Sequence, residues 1–137
     1  MSEFEPTLRD VLAAGNTARF RASGDSMYPA IRSGDYLEIA PCDVLKLRAG
    51  DVILAMTERG LTAHRIVRIR DRDDGIRITM RGDNALRSDA SVGPEDVLGR
   101  VERVESGGNA RRTAPESATM IRFAAVLVRR LMSAFQQ

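Results

Sequence analysis

Ser26 stands in a short segment whose residue types suit a nucleophilic serine, Gly24-Asp25-Ser26-Met27-Tyr28-Pro29. Gly24 allows the backbone to approach a ligand closely, and Pro29 fixes the direction of the chain soon after the serine. Such a turn can hold a hydroxyl outside a regular sheet, beside free backbone amides that could stabilise an oxyanion. The segment alone is also typical of a serine in a turn that bonds its own backbone. A catalytic role for Ser26 therefore requires a base within hydrogen-bond reach of its hydroxyl.

The sequence offers few bases for such a serine. His64 is the only histidine, and imidazole is the side chain whose charge ordinarily changes near neutral pH. Lys46 is the only lysine, and it lies in a polar stretch where an amine stays charged. We favour His64, because a predicted strand would fix its orientation. Asp83 and Asp89, downstream, are the candidates to hold the imidazole tautomer.

Alternation of apolar and polar residues predicts short β-strands around these candidates. Residues 51–55 contain a continuous apolar run after Asp51, typical of a strand buried on both faces. An Asp-rich turn at 71–75 separates two strands, and Gly99 indicates a bulge in the last one. A short helix is expected at 7–14, because Gly15 can terminate it. The predicted strands cover residues 17–23, 35–40, 51–55, 61–69, 76–80 and 97–104.

This pattern predicts a mainly β fold, a curled antiparallel sheet or partial barrel, within one domain at residues 1–105. Residues 106–117 contain Gly, Arg and Pro without periodicity, which predicts a linker. Residues 118–137 carry an apolar stripe flanked by arginines, which predicts an amphipathic helix. That helix could pack on its own domain, on a second copy or on a membrane surface.

Composition narrows the function classes. The formal net charge is only +2, with basic and acidic residues interleaved, so the charge balance does not indicate a nucleic-acid partner. The single cysteine, Cys42, excludes an intrachain disulfide and a zinc site built from several cysteines. No apolar run follows Met1, so we expect no signal peptide and no membrane span. The expected location is therefore the cytoplasm or the periphery of a membrane.

The sequence resembles the signal peptidase I clan of serine proteases, a group that also includes self-cleaving repressor proteins of the LexA-like fold. Four blocks carry the resemblance, and they occur in the order typical of the clan. They are similar to the nucleophile box, the following strand box, the general-base box and the final box. The blocks are Ser23 to Pro29; Gly50-Asp51-Val52-Ile53; Ala63-His64-Arg65-Ile66-Val67; and Gly82-Asp83-Asn84 with Ser88-Asp89, followed by Leu98-Gly99-Arg100-Val101.

The resemblance implies a role for each candidate. Most bacterial members place lysine in the base box, whereas this chain has His64, as in the archaeal and endoplasmic-reticulum type. By that likeness Ser26 is the nucleophile, His64 the base, Asp89 the likelier orienting acid and Asp83 the supporting acid. Met27 would pack beneath the site or line the substrate groove. Gly24 supplies no hydroxyl, so the backbone amide of Ser26 would carry more of the oxyanion stabilisation.

The function implied is a serine endopeptidase that cleaves an extended peptide or preprotein after small residues, without metal or organic cofactor. The membrane anchor of one branch and the DNA-binding domain of the other are not expected in this chain. Two alternatives stay open: a non-catalytic peptide-binding module on the same scaffold, and a self-cleaving regulatory peptidase. A homo-oligomer, or peripheral membrane association through residues 118–137, is also compatible with the sequence.

Overall fold

A computed structural model describes residues 4–112 of the chain. This part is mainly β, with one short helix and one open, seven-stranded antiparallel sheet. The fold class predicted from the sequence is thereby confirmed. The elements are α1 (Phe4–Ala13), β1 (Ala18–Arg21), β2 (Tyr36–Ala40), β3 (Val52–Thr57), β4 (Gly60–Arg72), β5 (Gly75–Arg81), β6 (Val97–Ser106) and β7 (Asn109–Arg112).

The sheet runs in the order β1-β2-β6-β3-β4-β5, and β7 pairs with β6. The long strand β6 therefore lies between β2 and β3, with the helix α1 near it. Three register shifts interrupt the pairing: between β2 and β6, between β3 and β6, and between β4 and β5. Bulges of this kind bend a sheet and increase its local twist.

Two apolar clusters cover the two faces of the sheet. Val52 and Leu54 belong to the cluster that contains Leu8 of α1, whereas Ile53 and Ala55 belong to the other. Successive side chains of a strand point to opposite faces, so β3 is buried on both sides, as its continuous apolar run predicts. This strand is the central support for β4, which carries the candidate base.

Gly99 of β6 sits where two strands come unusually close. A side chain there would place its Cβ 2.6 Å from the Ala40 carbonyl oxygen and 2.7 Å from Ile39 Cγ2. The register with β3 passes from Gly99 to Val97, so the residue between them is unpaired. The predicted bulge is therefore present, and glycine is required by the close approach of β2.

The ends of the elements depart from the sequence pattern in two places. The helix begins at Phe4, before the expected start, and ends at Ala13 as Gly15 predicts. Residues 109–112 form β7, so the first part of the segment predicted to be a linker belongs to the sheet. The predicted helix at 118–137 lies outside the described residues. No helix within residues 4–112 is long and apolar enough to cross a membrane.

Candidate active site

Ser26 lies in the long connection between β1 and β2. The two ends of that connection are tied together, because Ala22 donates its N–H to the Asp35 carbonyl and Gly34 donates to the Ala22 carbonyl, each at 2.8 Å. Gly24 has φ of +85°, a conformation that L side chains rarely adopt, so the turn before the serine requires glycine. The serine is thereby held beyond the end of β1 on a closed, exposed loop.

His64 lies in the first half of β4 and is 4% exposed. Its Nε2 is 3.0 Å from the Ser26 Oγ, a normal hydrogen-bond distance. The two residues meet although 38 positions separate them in the chain. A serine and an imidazole in direct contact are the arrangement that activates the hydroxyl for attack.

Asp89 completes the hydrogen-bonded array from the far side of the ring. Its Oδ2 is 2.5 Å from His64 Nδ1, and the two side chains are 13% and 6% exposed respectively. The Asp89 N–H donates to the Met80 carbonyl at 2.8 Å, which anchors the carboxylate beside β5. A carboxylate on Nδ1 keeps the proton on that nitrogen, so the lone pair on Nε2 faces the Ser26 hydroxyl.

Asp83 does not contact His64 in the described structure. Its carboxylate accepts two hydrogen bonds from the guanidinium of Arg65, each at 2.9 Å. That contact raises the pKa of Arg65 above its ordinary value. The resemblance makes Asp83 a supporting acid, but the fork-shaped pairing with Arg65 satisfies its charge. Asp83 therefore holds its loop against β4, and its role as a supporting acid stays a prediction.

A cleft of about 290 Å³ opens beside the serine. Its walls come from β1 and the segment after it on one side, and from the first residues of β4 on the other. Phe20, Ala22, Leu61 and Ala63 give the cleft an apolar lining, and no carboxylate is among the residues that form it. A cleft with this lining suits an apolar side chain next to the nucleophile.

The predicted substrate-contacting residues divide between the cleft and its surroundings. Gly24 and Met27 line the cleft with Ser26. Met27 is only 4% exposed and belongs to a core cluster, so it both packs beneath the site and closes the groove. Pro29, which follows a cis peptide bond, is exposed and lies outside the residues that line the cleft.

Comparison with known proteins agrees with this geometry. A protein-family model described as Peptidase S24-like matches residues 2–101. The chain belongs to the Peptidase S24-like family. Membership supports a serine-peptidase function in general, a class that includes enzymes cutting other chains and regulators cutting themselves. A search of curated proteins finds no match.

The loop that follows β5 in this S24-like peptidase is bound to the β1–β2 connection that carries Ser26, which we call the serine loop. Asn84 donates its backbone N–H to the Ser26 carbonyl at 2.9 Å and its side-chain amide to the Asp25 carbonyl at 3.2 Å. Gly82 lies so close that a Cβ there would be 2.5 Å from the Ser26 carbonyl oxygen. The sequence places Gly82 and Asn84 in the final box but gives neither a role, since only the three-dimensional approach of the two loops reveals their part.

The backbone N–H of Ser26 is available to a reacting carbonyl. Within residues 4–112 no acceptor bonds this amide, while the carbonyl of the same residue is held by Asn84. An amide fixed in this way can donate to the oxyanion that forms when the hydroxyl attacks. The left-handed turn at Gly24 and the contact at Gly82 together determine where that amide points.

Other candidate groups of the S24-like peptidase lie away from the serine. Lys46 is exposed on the 3-10 helix Val44–Lys46 and is not among the residues that line the cleft. Burial raises the pKa of the Cys42 thiol to about 11, so it stays protonated and unreactive at neutral pH. Among residues 4–112 no cluster of His, Cys, Asp and Glu could hold a metal ion.

Replacing Gly82 by alanine is expected to reduce kcat for peptide cleavage by about 100-fold. The new Cβ would meet the backbone of Ser26 at 2.5 Å and His64 Nε2 at 3.2 Å, so the serine loop must shift. Overpacking of this kind also lowers the free energy of unfolding by about 1–3 kcal/mol. Rates and thermal unfolding are compared with Gly108→Ala, where φ is +88° but nothing lies within 4 Å of the added Cβ. Gly108→Ala should lower stability and leave kcat unchanged; equal kcat values for the two variants would contradict the steric argument.

Proposed function

We propose that this protein is a serine endopeptidase resembling signal peptidase I, which cleaves an extended peptide after small residues. Ser26 acts as nucleophile, His64 as general base and Asp89 as the acid that orients the imidazole. The observation that supports this proposal is the continuous hydrogen-bonded array from Ser26 Oγ through His64 to Asp89, at 3.0 and 2.5 Å. Family membership supports the serine-peptidase class, and the array supports the assignment of roles.

Each chemical step has a group in position to perform it. His64 Nε2 takes the proton of Ser26 as Oγ attacks the carbonyl carbon of the substrate, giving a tetrahedral oxyanion. The backbone N–H of Ser26 donates to that oxyanion. The imidazolium then returns its proton to the leaving amine, and the peptide C–N bond breaks to leave an acyl ester on Ser26. Water, deprotonated by His64, attacks the ester and releases the carboxylic acid and the free serine.

Two strand edges beside the serine suit an extended substrate. β4 pairs with β3 from Gly60 to Arg65 but with β5 only from Arg65 onward, so in the described residues one edge of its first half has no partner strand. β1 pairs with β2 alone within the same part of the chain. Main-chain hydrogen bonds to such an edge would bind a peptide in extended form, with its alternate side chains in the cleft.

The use of histidine in place of lysine is consistent with burial and position. Lys46 is exposed and would need removal from water to act as a neutral base. His64 is buried against β3 and bonded on both ring nitrogens. The hydrogen-bond contact between His64 Nε2 and Ser26 Oγ also weighs against a non-catalytic peptide-binding module, since such a module has no need for an activated hydroxyl. The self-cleaving alternative remains compatible with the family and is tested by the mass of the incubated protein.

A peptide series tests the substrate class. We expect cleavage after Ala, Gly or Ser, and about 10- to 100-fold lower kcat/KM when Leu or Phe occupies that position, because the resemblance to signal peptidase I implies pockets for small residues. Products are identified by mass spectrometry, which also reports any cut within the protein itself. Equal cleavage after Phe and Ala would contradict the small-residue specificity, and cuts confined to the protein's own chain would favour the self-cleaving alternative.

A further inference from the structure

The β4–β5 hairpin carries an unusual concentration of arginine on one face. We call this face the arginine strip. The strip has six members, while the whole chain has a formal net charge of only +2, so the positive charge is concentrated here. The members are Arg65, Arg68, Arg70, Arg72, Arg77 and Arg81. All of them are exposed except Arg65, which is half-buried.

The pairing register places these side chains together. Arg65 is opposite Arg81, and Arg70 is opposite Arg77. The register shifts between Ile66 and Arg68, and this bulge compensates for the odd spacing of Arg65 and Arg68, which therefore share a face. The other face of the hairpin carries buried residues of a core cluster, Ile66, Ile69, Ile78 and Met80.

Little negative charge offsets the strip. Arg65 is paired with Asp83, and Arg77 donates to Ser91, an uncharged residue. Arg68, Arg70 and Arg72 follow one another at every second position of β4, with no carboxylate bonded to them in the described chain. The neighbours Arg68 and Arg72 lower the pKa of Arg70, the effect expected of unneutralised like charges.

The nearest acidic residues in the sequence do not occupy the strip. Asp71 lies opposite Ile76 in the register and so faces the other side of the hairpin. Asp73 and Asp74 form the turn at the far end of the hairpin. The surface between that turn and the active site is therefore cationic along its length.

One end of the strip adjoins the candidate active site. Arg65 directly follows His64, and Arg81 directly precedes Gly82, which lies against the Ser26 backbone. From there the strip extends along β4 for about 20 Å to the hairpin turn. A chain that leaves the serine in this direction would pass over the arginines.

We propose that the arginine strip binds an acidic segment of the peptide substrate, adjacent in sequence to the bond that Ser26 cleaves. This inference rests on the proposed function. Alternate residues of a strand are about 6.7 Å apart, so an extended peptide has the same repeat as Arg68, Arg70 and Arg72. A substrate with Asp or Glu at every second position can therefore place successive carboxylates on successive guanidinium groups.

The shape and position of the strip favour a peptide over other polyanions. The strip is only two strands wide, about 5 Å between strand axes, which matches one extended chain. Its residues are arginines with Thr79, and no aromatic side chain is present to stack on nucleotide bases. Its continuity with the nucleophile also links it to the molecule being cut. Duplex DNA and anionic lipid vesicles are therefore tested as competitors.

Binding to the Ser26→Ala protein tests the proposal without turnover. A fluorescent peptide with an alternating Asp segment is compared, by anisotropy at low salt, with the same peptide carrying Asn. We expect about tenfold tighter binding of the Asp peptide, weakening with salt. Arg68→Gln/Arg70→Gln should weaken that binding about fivefold, as two exposed ion pairs would. The matched control, Arg9→Gln/Arg103→Gln, removes equal charge from α1 and β6, outside the strip and outside both substrate edges, and should leave binding within twofold.

Three results would overturn the proposal: equal binding of the Asp and Asn peptides, equal effects of the two double variants, or binding of duplex DNA or phosphatidylserine vesicles tighter than that of the Asp peptide. Cleavage by the active protein is followed separately with both peptides. Tight binding of the Asp peptide without any cleavage would contradict the proposed function and leave the strip assignment standing. Cleavage of both peptides at equal kcat/KM would support the proposed function and contradict the strip assignment.

Discussion

Replacing His64 by alanine is expected to lower kcat for peptide cleavage by about 10⁴-fold. Its Nε2 is 3.0 Å from Ser26 Oγ and is the only nitrogen base in contact with that hydroxyl in the described structure. Without it the serine keeps its proton, and the residual rate comes from substrate binding and the oxyanion donor alone. Steady-state kinetics on a peptide with an Ala cleavage site measures the loss. KM should change little, because the imidazole acts mainly in the transition state.

Two further variants make the His64 experiment decisive. His64 is 4% exposed, so His64→Gln, which fills more of the space, is measured beside His64→Ala to separate loss of the base from loss of folding. Lys46→Ala removes the only lysine and should leave kcat within twofold, because Lys46 is exposed and is not among the residues that line the cleft. Near-normal turnover in both His64 variants, or a large loss in Lys46→Ala, would show that the base is wrongly assigned.

Asp89→Asn is expected to lower kcat by about 10⁴-fold while preserving the shape of the site. The side-chain amide can donate to His64 Nδ1 where the carboxylate now accepts from it at 2.5 Å. The ring proton then moves to Nε2, which faces Ser26 and can no longer accept the hydroxyl proton. Kinetics and thermal unfolding are measured together, since a change of tautomer should reduce the rate far more than the stability.

Asp83→Asn is the matched control, because it makes the same chemical change in the same loop. Asp83 is bound to Arg65 and not to the imidazole, so the variant loses a partly exposed ion pair. The expected cost is up to about 1 kcal/mol of stability, with kcat reduced less than tenfold. A loss in Asp83→Asn as large as that in Asp89→Asn would assign the orienting role to the wrong carboxylate.

The elements around the site follow from local patterns in the sequence. The alternation of Ile76, Ile78 and Met80 predicts β5, and the apolar run within 51–55 predicts a strand with both faces buried. These patterns arise because the side chains on a buried face of a strand are apolar along the whole strand. The first half of β4 pairs with β3 and the second half with β5, and no local pattern in the sequence specifies this change of partner.

The choice between Asp83 and Asp89 shows what the sequence leaves open. Both lie in the loop after β5, and either could reach the imidazole in some conformation of that loop. In the described structure Asp83 pairs with Arg65, and Asp89, whose backbone N–H bonds the Met80 carbonyl, contacts the imidazole. The steric part of Gly82 is likewise hidden, because it arises from contact with a loop far away in the chain.

The assignment of β7 differs for another reason. Residues 106–117 lack periodicity and contain paired glycines, a composition typical of linkers. The structure uses Gly107 and Gly108, with φ of +56° and +88°, to turn the chain back so that residues 109–112 pair with β6. A four-residue strand is too short to leave a periodic pattern, so only the two glycines signal the hairpin.

The most direct test of the Ser26 assignment is a mass-spectrometric search for peptides cut by the native protein and not by Ser26→Ala. A mixture of peptides with varied residues around small side chains is incubated with each protein under identical conditions, after both are shown to be folded. We expect products from the native protein alone, with new carboxyl termini at Ala, Gly or Ser. The same products from Ser26→Ala at the same rate would contradict the Ser26 assignment.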